Sequence, residues 1–193
     1  MSRLTESELI FTFPDAWTVR KYDDTVAYQS LSGHGLKGVD FIALDASGGL
    51  WLIEVKNYRP RISPRNGREY RAERKPPAEL AEQIAGKFTD SRRLIRIVCA
   101  YLRRSWWRRL VVWYRQRRPA TESNYWFWSE AERRLRTDAQ VRFVLWMETP
   151  ERKTGYDETV ARLLRERLPD LNITVAESSR ANALPFAAAP EVR

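Results

Sequence analysis

Short apolar runs occupy the first third of the chain, and helical periods of apolar residues occupy much of the rest. Thr5 to Phe13 carries a helix-start signal: Thr5 and Glu8 stand at capping-box spacing, with Leu9, Ile10 and Phe13 available for packing. A first helix is expected there, ended by Pro14. Two β-prone runs follow, Trp17 to Tyr22 and Val26 to Leu31, with Asp23-Asp24 as the turn between them. Gly33, Gly35 and Gly38 make a permissive loop. Val39 to Leu44 and Leu50 to Lys56 read as a β-hairpin closed by Asp45-Ala46-Ser47-Gly48-Gly49. Arg59 to Pro77 is charged, carries four prolines and is expected to be a mobile loop. Leu80, Ile84, Phe88, Ile95, Val98 and Leu102 keep one face apolar and predict a long helix from about Ala78 to about Leu102. Val141 to Met147 is apolar almost throughout, as a buried central strand is. Tyr156 to Leu168 predicts an amphipathic helix and Ile173 to Ala176 a last short strand. From about Ser179 the chain is Ala- and Pro-rich and is expected to fray.

This order is helix, several strands, helix, strand, helix, strand. It predicts an α/β domain over residues 1–178, with a central mixed sheet flanked by helices, and a flexible segment over 179–193. Residues from about 103 to 136 stand apart as an insertion, in which Trp106-Trp107, Trp113-Tyr114 and Tyr125-Trp126-Phe127-Trp128 alternate with arginines. No internal repeat is present. The 193 residues, 43% of them hydrophobic, suffice for one domain with a sizeable core and exclude a disordered chain.

Charge narrows the partners. A formal net charge of +9 attracts polyanions, and nucleic acid is the commonest of these. The single cysteine, Cys99, excludes an intramolecular disulfide and reads as a small core residue. The N-terminus is too charged for a signal peptide, no apolar run reaches the length of a membrane span, and a cytoplasmic location is expected.

The hairpin carries the chemistry. Glu54 and Lys56 are two apart on one strand and share a face. If Leu44 faces Leu50 across the loop, Asp40 falls opposite Glu54, with Cβ atoms roughly 5 Å apart. Both strands are otherwise apolar on both faces and belong to a sheet covered on both sides. Two facing carboxylates there call for a neutralising cation: Lys56 supplies one charge, and a hard divalent ion such as Mg²⁺ or Mn²⁺ suits the oxygens. Clusters of His and Cys that would suit zinc are missing; His34 is the sole histidine, in the glycine loop near Asp40. A structural Glu54–Lys56 pair on a solvated strand is the plainer alternative.

Gly38-Val39-Asp40-Phe41 followed by Leu52-Ile53-Glu54-Val55-Lys56-Asn57-Tyr58 resembles the PD-(D/E)xK nuclease superfamily. Its nearest flavours are archaeal Holliday-junction resolvases, Mrr-type restriction enzymes and the nuclease-related NERD domain. The resemblance covers about Thr5 to Ala100, and more loosely Val141 to Ala176. It implies a restriction-endonuclease-like core of α-β-β-β-α-β order and metal-dependent hydrolysis of phosphodiester bonds. Asp40 and Glu54 would be ligands of Mg²⁺ or Mn²⁺, with the Val55 main-chain carbonyl as a third. Lys56 would orient or deprotonate the attacking water, or stabilise charge on the phosphorane. The family's acidic residue on the first helix matches Glu8 best and Glu6 second, and its glutamine on the following helix matches Gln83. The chain departs from the family in having Val39 before the aspartate, a long Arg59–Pro77 loop, and the Trp-Arg segment. The implied activity is a DNA endonuclease of a bacterial restriction or anti-phage defence system, acting as a homodimer or within a larger complex. The alternative is a non-cleaving subunit of the same fold that binds nucleic acid or a protein partner through its Trp/Arg region.

Between Asp90 and Glu122 the chain has no acidic residue and ten arginines. Lys37, Lys87, Arg92, Arg96, Arg103, Arg104, Arg108 and Arg109 are the expected nucleic-acid contacts, with interleaved Trp and Tyr available to stack on unpaired bases. Trp106, Leu110, Trp113 and Tyr114 recur at helical spacing, and such a stripe also suits packing on the core or on a partner chain. A basic amphipathic helix on an anionic membrane is the weaker reading, and no membrane partner is expected.

Overall fold

In a computed structural model, residues 1–23, 25, 36–62, 67–118, 120–137, 141–149, 155–178 and 184–191 are described. The expected strand Val26 to Leu31, and Gly33, His34 and Gly35, lie outside the described residues. Among the described residues ten strands and four helices follow in order. They are β1 (Ser2–Glu6), β2 (Leu9–Phe13), β3 (Thr18–Lys21), β4 (Phe41–Leu44), β5 (Leu50–Asn57), β6 (Arg61–Ile62) and β7 (Glu69–Tyr70). Then come α1 (Pro77–Leu102), α2 (Trp106–Arg117), α3 (Asn124–Leu135), β8 (Val141–Glu148), α4 (Tyr156–Arg167), β9 (Asn172–Glu177) and β10 (Ala187–Pro190).

The centre is a mixed five-stranded sheet of order β3-β4-β5-β8-β9. β3, β4 and β5 pair antiparallel, while β5, β8 and β9 run parallel. The parallel crossovers are made through helices, as parallel strands require. Side chains alternate faces. Ile42, Leu44, Leu50, Leu52, Phe143 and Leu145 pack under α1, α3 and α4, against Leu80, Ile84, Phe88, Phe127 and Leu164. Phe41, Ala43, Trp51, Ile53, Val144 and Trp146 pack on the opposite side. A second sheet of order β1-β2-β10 covers that side with Leu9, Phe11 and Phe13. The architecture is therefore α/β, with the mixed sheet between a helical layer and a small antiparallel sheet.

Three expectations are corrected. Thr5 to Phe13 is not a helix: it spans the end of β1, a tight turn and β2. Leu9, Phe11 and Phe13 alternate with Ile10 and Thr12, and this period of two buries three large side chains on one face. Glu6 pairs with Leu9 around the turn, so Ser7 and Glu8 sit at its tip with φ of 51° and 62°. Left-handed backbone at both positions is what a type I′ two-residue hairpin turn demands. Arg59 to Pro77 contains the short β6–β7 hairpin. Part of the segment expected to fray is ordered by pairing: β10 runs antiparallel to β2, and Phe186 is buried against Trp51 and Trp146. The remaining element boundaries fall within one or two residues of those expected.

Candidate active site

The site begins with the hairpin register. Leu44 pairs with Leu50 and Phe41 with Ile53, so Asp40 comes next opposite Glu54. The loop itself holds that register. Buried Asp45 accepts hydrogen bonds from the Ser47 hydroxyl, the Gly49 amide and the Trp51 indole at 2.9, 2.7 and 2.8 Å. Burial works to raise the Asp45 carboxyl, but these three donors outweigh it and hold it below the ordinary aspartate value. A Cβ at Gly49 would collide with the Asp45 carboxylate. Arg134 of α3 donates to the Asp45 and Gly49 carbonyls at 2.8 and 2.7 Å, which ties the loop to the helical layer.

Past the last β4–β5 pair, the Val55 amide has no ladder partner from β4. Asp40 Oδ2 accepts it at 2.7 Å. In an extended strand the carbonyl of a residue points to the same edge as its amide, so the Val55 carbonyl faces the Asp40 side. Glu54 is fully buried. Lys56 Nζ donates to its Oε1 at 2.6 Å. Lys87, from the middle of α1, donates to Oε1 and Oε2 at 2.7 and 2.8 Å. Burial works to lower the Lys87 ammonium, but Glu54 and Asp40 outweigh it and hold it above the usual lysine value. Burial, and next the Glu54 carboxylate, push Asp40 up to about 7; Lys87 and the Val55 amide oppose the rise. Asp40 therefore titrates near neutrality.

The β1–β2 turn abuts the same cluster. Asn57 Nδ2 donates to the Ser7 carbonyl at 2.7 Å, and Lys21 pairs with Glu6 at 2.9 Å. Glu6 adds to the electrostatic push on Asp40. Glu8 lies at the turn tip, and its carbonyl accepts the Glu191 amide at 3.0 Å. The acidic residue that this edge brings toward Asp40 is thus Glu6, carried on a hairpin turn. Gln83 is half-buried one turn before Lys87 and makes no side-chain hydrogen bond among the described residues.

Lys87, read from the sequence as a nucleic-acid contact, stands inside the carboxylate cluster. The signal for it was its position four residues after Gln83, which puts both on one helical face. The arginines expected to bind nucleic acid lie toward the far end of α1 and on α2. Arg103 pairs with Glu132 at 2.8 Å, and Arg109 donates to the Arg103 carbonyl at 3.0 Å. Arg104 and Arg108 both stack on Tyr101. Arg96 is exposed and Arg92 half-buried on α1. Lys37 is exposed, and its amide donates to Asp90. Cys99 is buried beneath α3, where burial pushes its thiol up to about 12, so it is inert at neutral pH.

No cluster of three metal-ligating side chains occurs among the described residues. Asp40 and Glu54 are nevertheless hard oxygen donors on one face, and no hydrogen bond reaches Asp40 Oδ1 among the described residues. By donor type the pair fits a hard divalent ion. The fit requires a lysine to yield one of its contacts with Glu54, because both carboxylate oxygens already accept from ammonium groups. A hollow of about 610 Å³ beside β9 and α4, lined by residues such as Trp51, Arg142, Asp157 and Arg165, is a separate feature and shares no residue with the cluster. No family model, characterised protein or solved structure matches the chain.

Proposed function

We propose that the chain is a metal-dependent nuclease with a restriction-endonuclease-like core, hydrolysing phosphodiester bonds in DNA. The observation that carries this reading is the buried Glu54 carboxylate beside Asp40, held by Lys56 and Lys87 at the open end of a hairpin. Asp40, Glu54 and the Val55 carbonyl would hold Mg²⁺ or Mn²⁺. When bound, such an ion supplies a water of lowered pKa and neutralises charge on the scissile phosphate. Lys56, part-exposed at the mouth, would orient the attacking water by hydrogen bonding. Lys87 would hold and aim the Glu54 carboxylate, and the exposed Lys37 and Arg96 would meet the phosphate backbone. A bacterial restriction or defence setting, and a dimer or larger complex to cut two strands, extend the reading by resemblance.

The test is cleavage of supercoiled plasmid with Mg²⁺ or Mn²⁺, with and without EDTA. Wild type should nick or linearise it, while Asp40→Asn, Glu54→Gln and Lys56→Ala should lose at least about a hundredfold in rate. Equal activity in Glu54→Gln would remove the proposal.

A second reading is favoured by the charge balance of the cluster: two ammonium groups already stand on the Glu54 carboxylate beside Asp40. In that reading the chain is a non-cleaving subunit that binds nucleic acid or a protein partner. Calorimetry with Mn²⁺ separates the two, since only the nuclease reading expects wild type to bind the ion and Glu54→Gln to lose it.

A further inference from the structure

Helix α2 turns its apolar side away from the protein. Trp106, Trp107, Leu110, Trp113 and Tyr114 are between 46% and 74% exposed. At 3.6 residues per turn these five positions fall within an arc of about 120°. Val112, on the opposite side, is the helix's one buried residue. This excludes packing of the stripe on the protein's own core and leaves a continuous aromatic surface in contact with solvent.

Charge selects what covers it. The chain is free of acidic residues from Ser91 to Thr121, and arginines border the stripe. A second copy docking through this face would bring two arginine fields together, so the partner is anionic. Among anionic partners, the rings themselves discriminate. Arg117 lies over the Trp113 ring at 4.0 Å, Arg108 over Trp107 at 5.2 Å and Arg118 over Tyr114 at 5.6 Å. Each guanidinium covers a ring face on which a base would stack. Leu110, near the middle of the stripe, offers a base no aromatic face. Aromatic rings at headgroup depth, with arginines reaching phosphates beside them, are instead the chemistry of an interfacial helix.

We propose that α2 lies flat on an anionic lipid bilayer, with Trp106, Leu110 and Trp113 at the acyl–headgroup boundary and the flanking arginines on lipid phosphates. Among the described residues no helix is long and apolar enough to cross a membrane, so the contact is peripheral. Lys87 lies fifteen positions before Leu102, so about 22 Å of helix runs between the Asp40–Glu54 cluster and the end of α1 that leads to α2. The inference is independent of the nuclease reading, because neither its evidence nor its test involves cleavage.

The test is co-sedimentation of the full chain with phosphatidylcholine vesicles, alone or with about one-quarter phosphatidylglycerol. Wild type should sediment with the anionic vesicles and stay in solution with the neutral ones. The triple variant Trp106→Ser, Leu110→Ser, Trp113→Ser should bind anionic vesicles at least about tenfold more weakly. Because all three side chains are exposed, its thermal melt should match that of wild type. Anisotropy with a single-stranded oligonucleotide is measured in parallel and should be unchanged in the variant. Absence of wild-type sedimentation with anionic vesicles overturns the proposal, as does equal sedimentation of the variant. Loss of oligonucleotide binding in the variant, without vesicle binding by wild type, overturns it in favour of nucleic acid. A dimer that dissociates only in the variant, again without vesicle binding, overturns it in favour of a second copy.

Discussion

Asp40→Asn is expected to stabilise the protein in a pH-dependent way. Burial and the neighbouring Glu54 carboxylate raise Asp40 from its ordinary 3.8 to about 7. Below the unfolded value the carboxyl is protonated in both states, and the stability it contributes is fully present. As pH rises from 3.8 toward 7, the unfolded chain releases a proton that the folded chain keeps, so stability falls by up to about 1.4 kcal/mol per pH unit. Above the folded value the loss is complete, at roughly 4 kcal/mol. Asparagine has no charge to desolvate and can still accept the Val55 amide, as the protonated carboxyl of wild type does. Between about pH 5 and about pH 8, the stability of the variant relative to wild type should therefore rise by roughly 2–3 kcal/mol. Urea unfolding followed by tryptophan fluorescence at both pH values measures it. Parallel stability–pH curves for the two proteins would refute the reasoning, since Asp40 would then titrate alike in the folded and unfolded chains. If the pair holds a divalent ion, Mg²⁺ at about a hundredfold over its Kd should return about 2.7 kcal/mol to wild type at pH 8 and almost none to Asp40→Asn.

Four further substitutions test the frame around the cluster. Glu8→Gly should stabilise by about 1 kcal/mol, because it relieves a left-handed non-glycine residue at the turn tip, and should leave any cleavage rate unchanged. Glu6→Gln should lower the Asp40 titration midpoint, read by NMR of the side-chain carboxyl; an unmoved midpoint would separate Glu6 from the site. Lys87→Ala removes one of two ammonium groups from a fully buried carboxylate and should cost about 2–3 kcal/mol in urea unfolding at neutral pH. A loss under about 0.5 kcal/mol would mean that Glu54 is satisfied by Lys56 alone. Asp45→Ala strips three donors of their acceptor and leaves the Trp51 indole unpaired, at a cost of about 2–4 kcal/mol. The Asp45 carboxyl is depressed in the folded state, so its contribution is present above the unfolded value and is lost as pH falls through the folded one; the cost of the substitution should shrink in strong acid.

How far the sequence reached depended on where each element finds its partners. The β4–β5 register was legible because the hairpin is local: a short loop and an apolar run on each side leave one register that buries both faces. Thr5 to Phe13 was not, because two local signals compete there. The Thr5–Glu8 spacing favours a helix start, while Leu9, Phe11 and Phe13 alternate as a strand. The contest is decided by β10, which pairs with β2 from more than 170 residues away, and by the face of the central sheet that needed a cover. The place of Lys87 beside Glu54 was not legible for a related reason. Helical spacing tells which residues share a face of α1, but not which way the helix is rotated over the sheet. The α2 stripe poses the same problem in its sharpest form. An aromatic face at helical spacing has the same sequence whether it points into a core or away from one. Its direction is fixed by the opposite side, where Val112 is buried. A helix that buries one valine and exposes three tryptophans gains little from its own fold. The apolar area it presents is therefore explained by what it meets outside the molecule, and the arginines around it restrict that to an anionic surface.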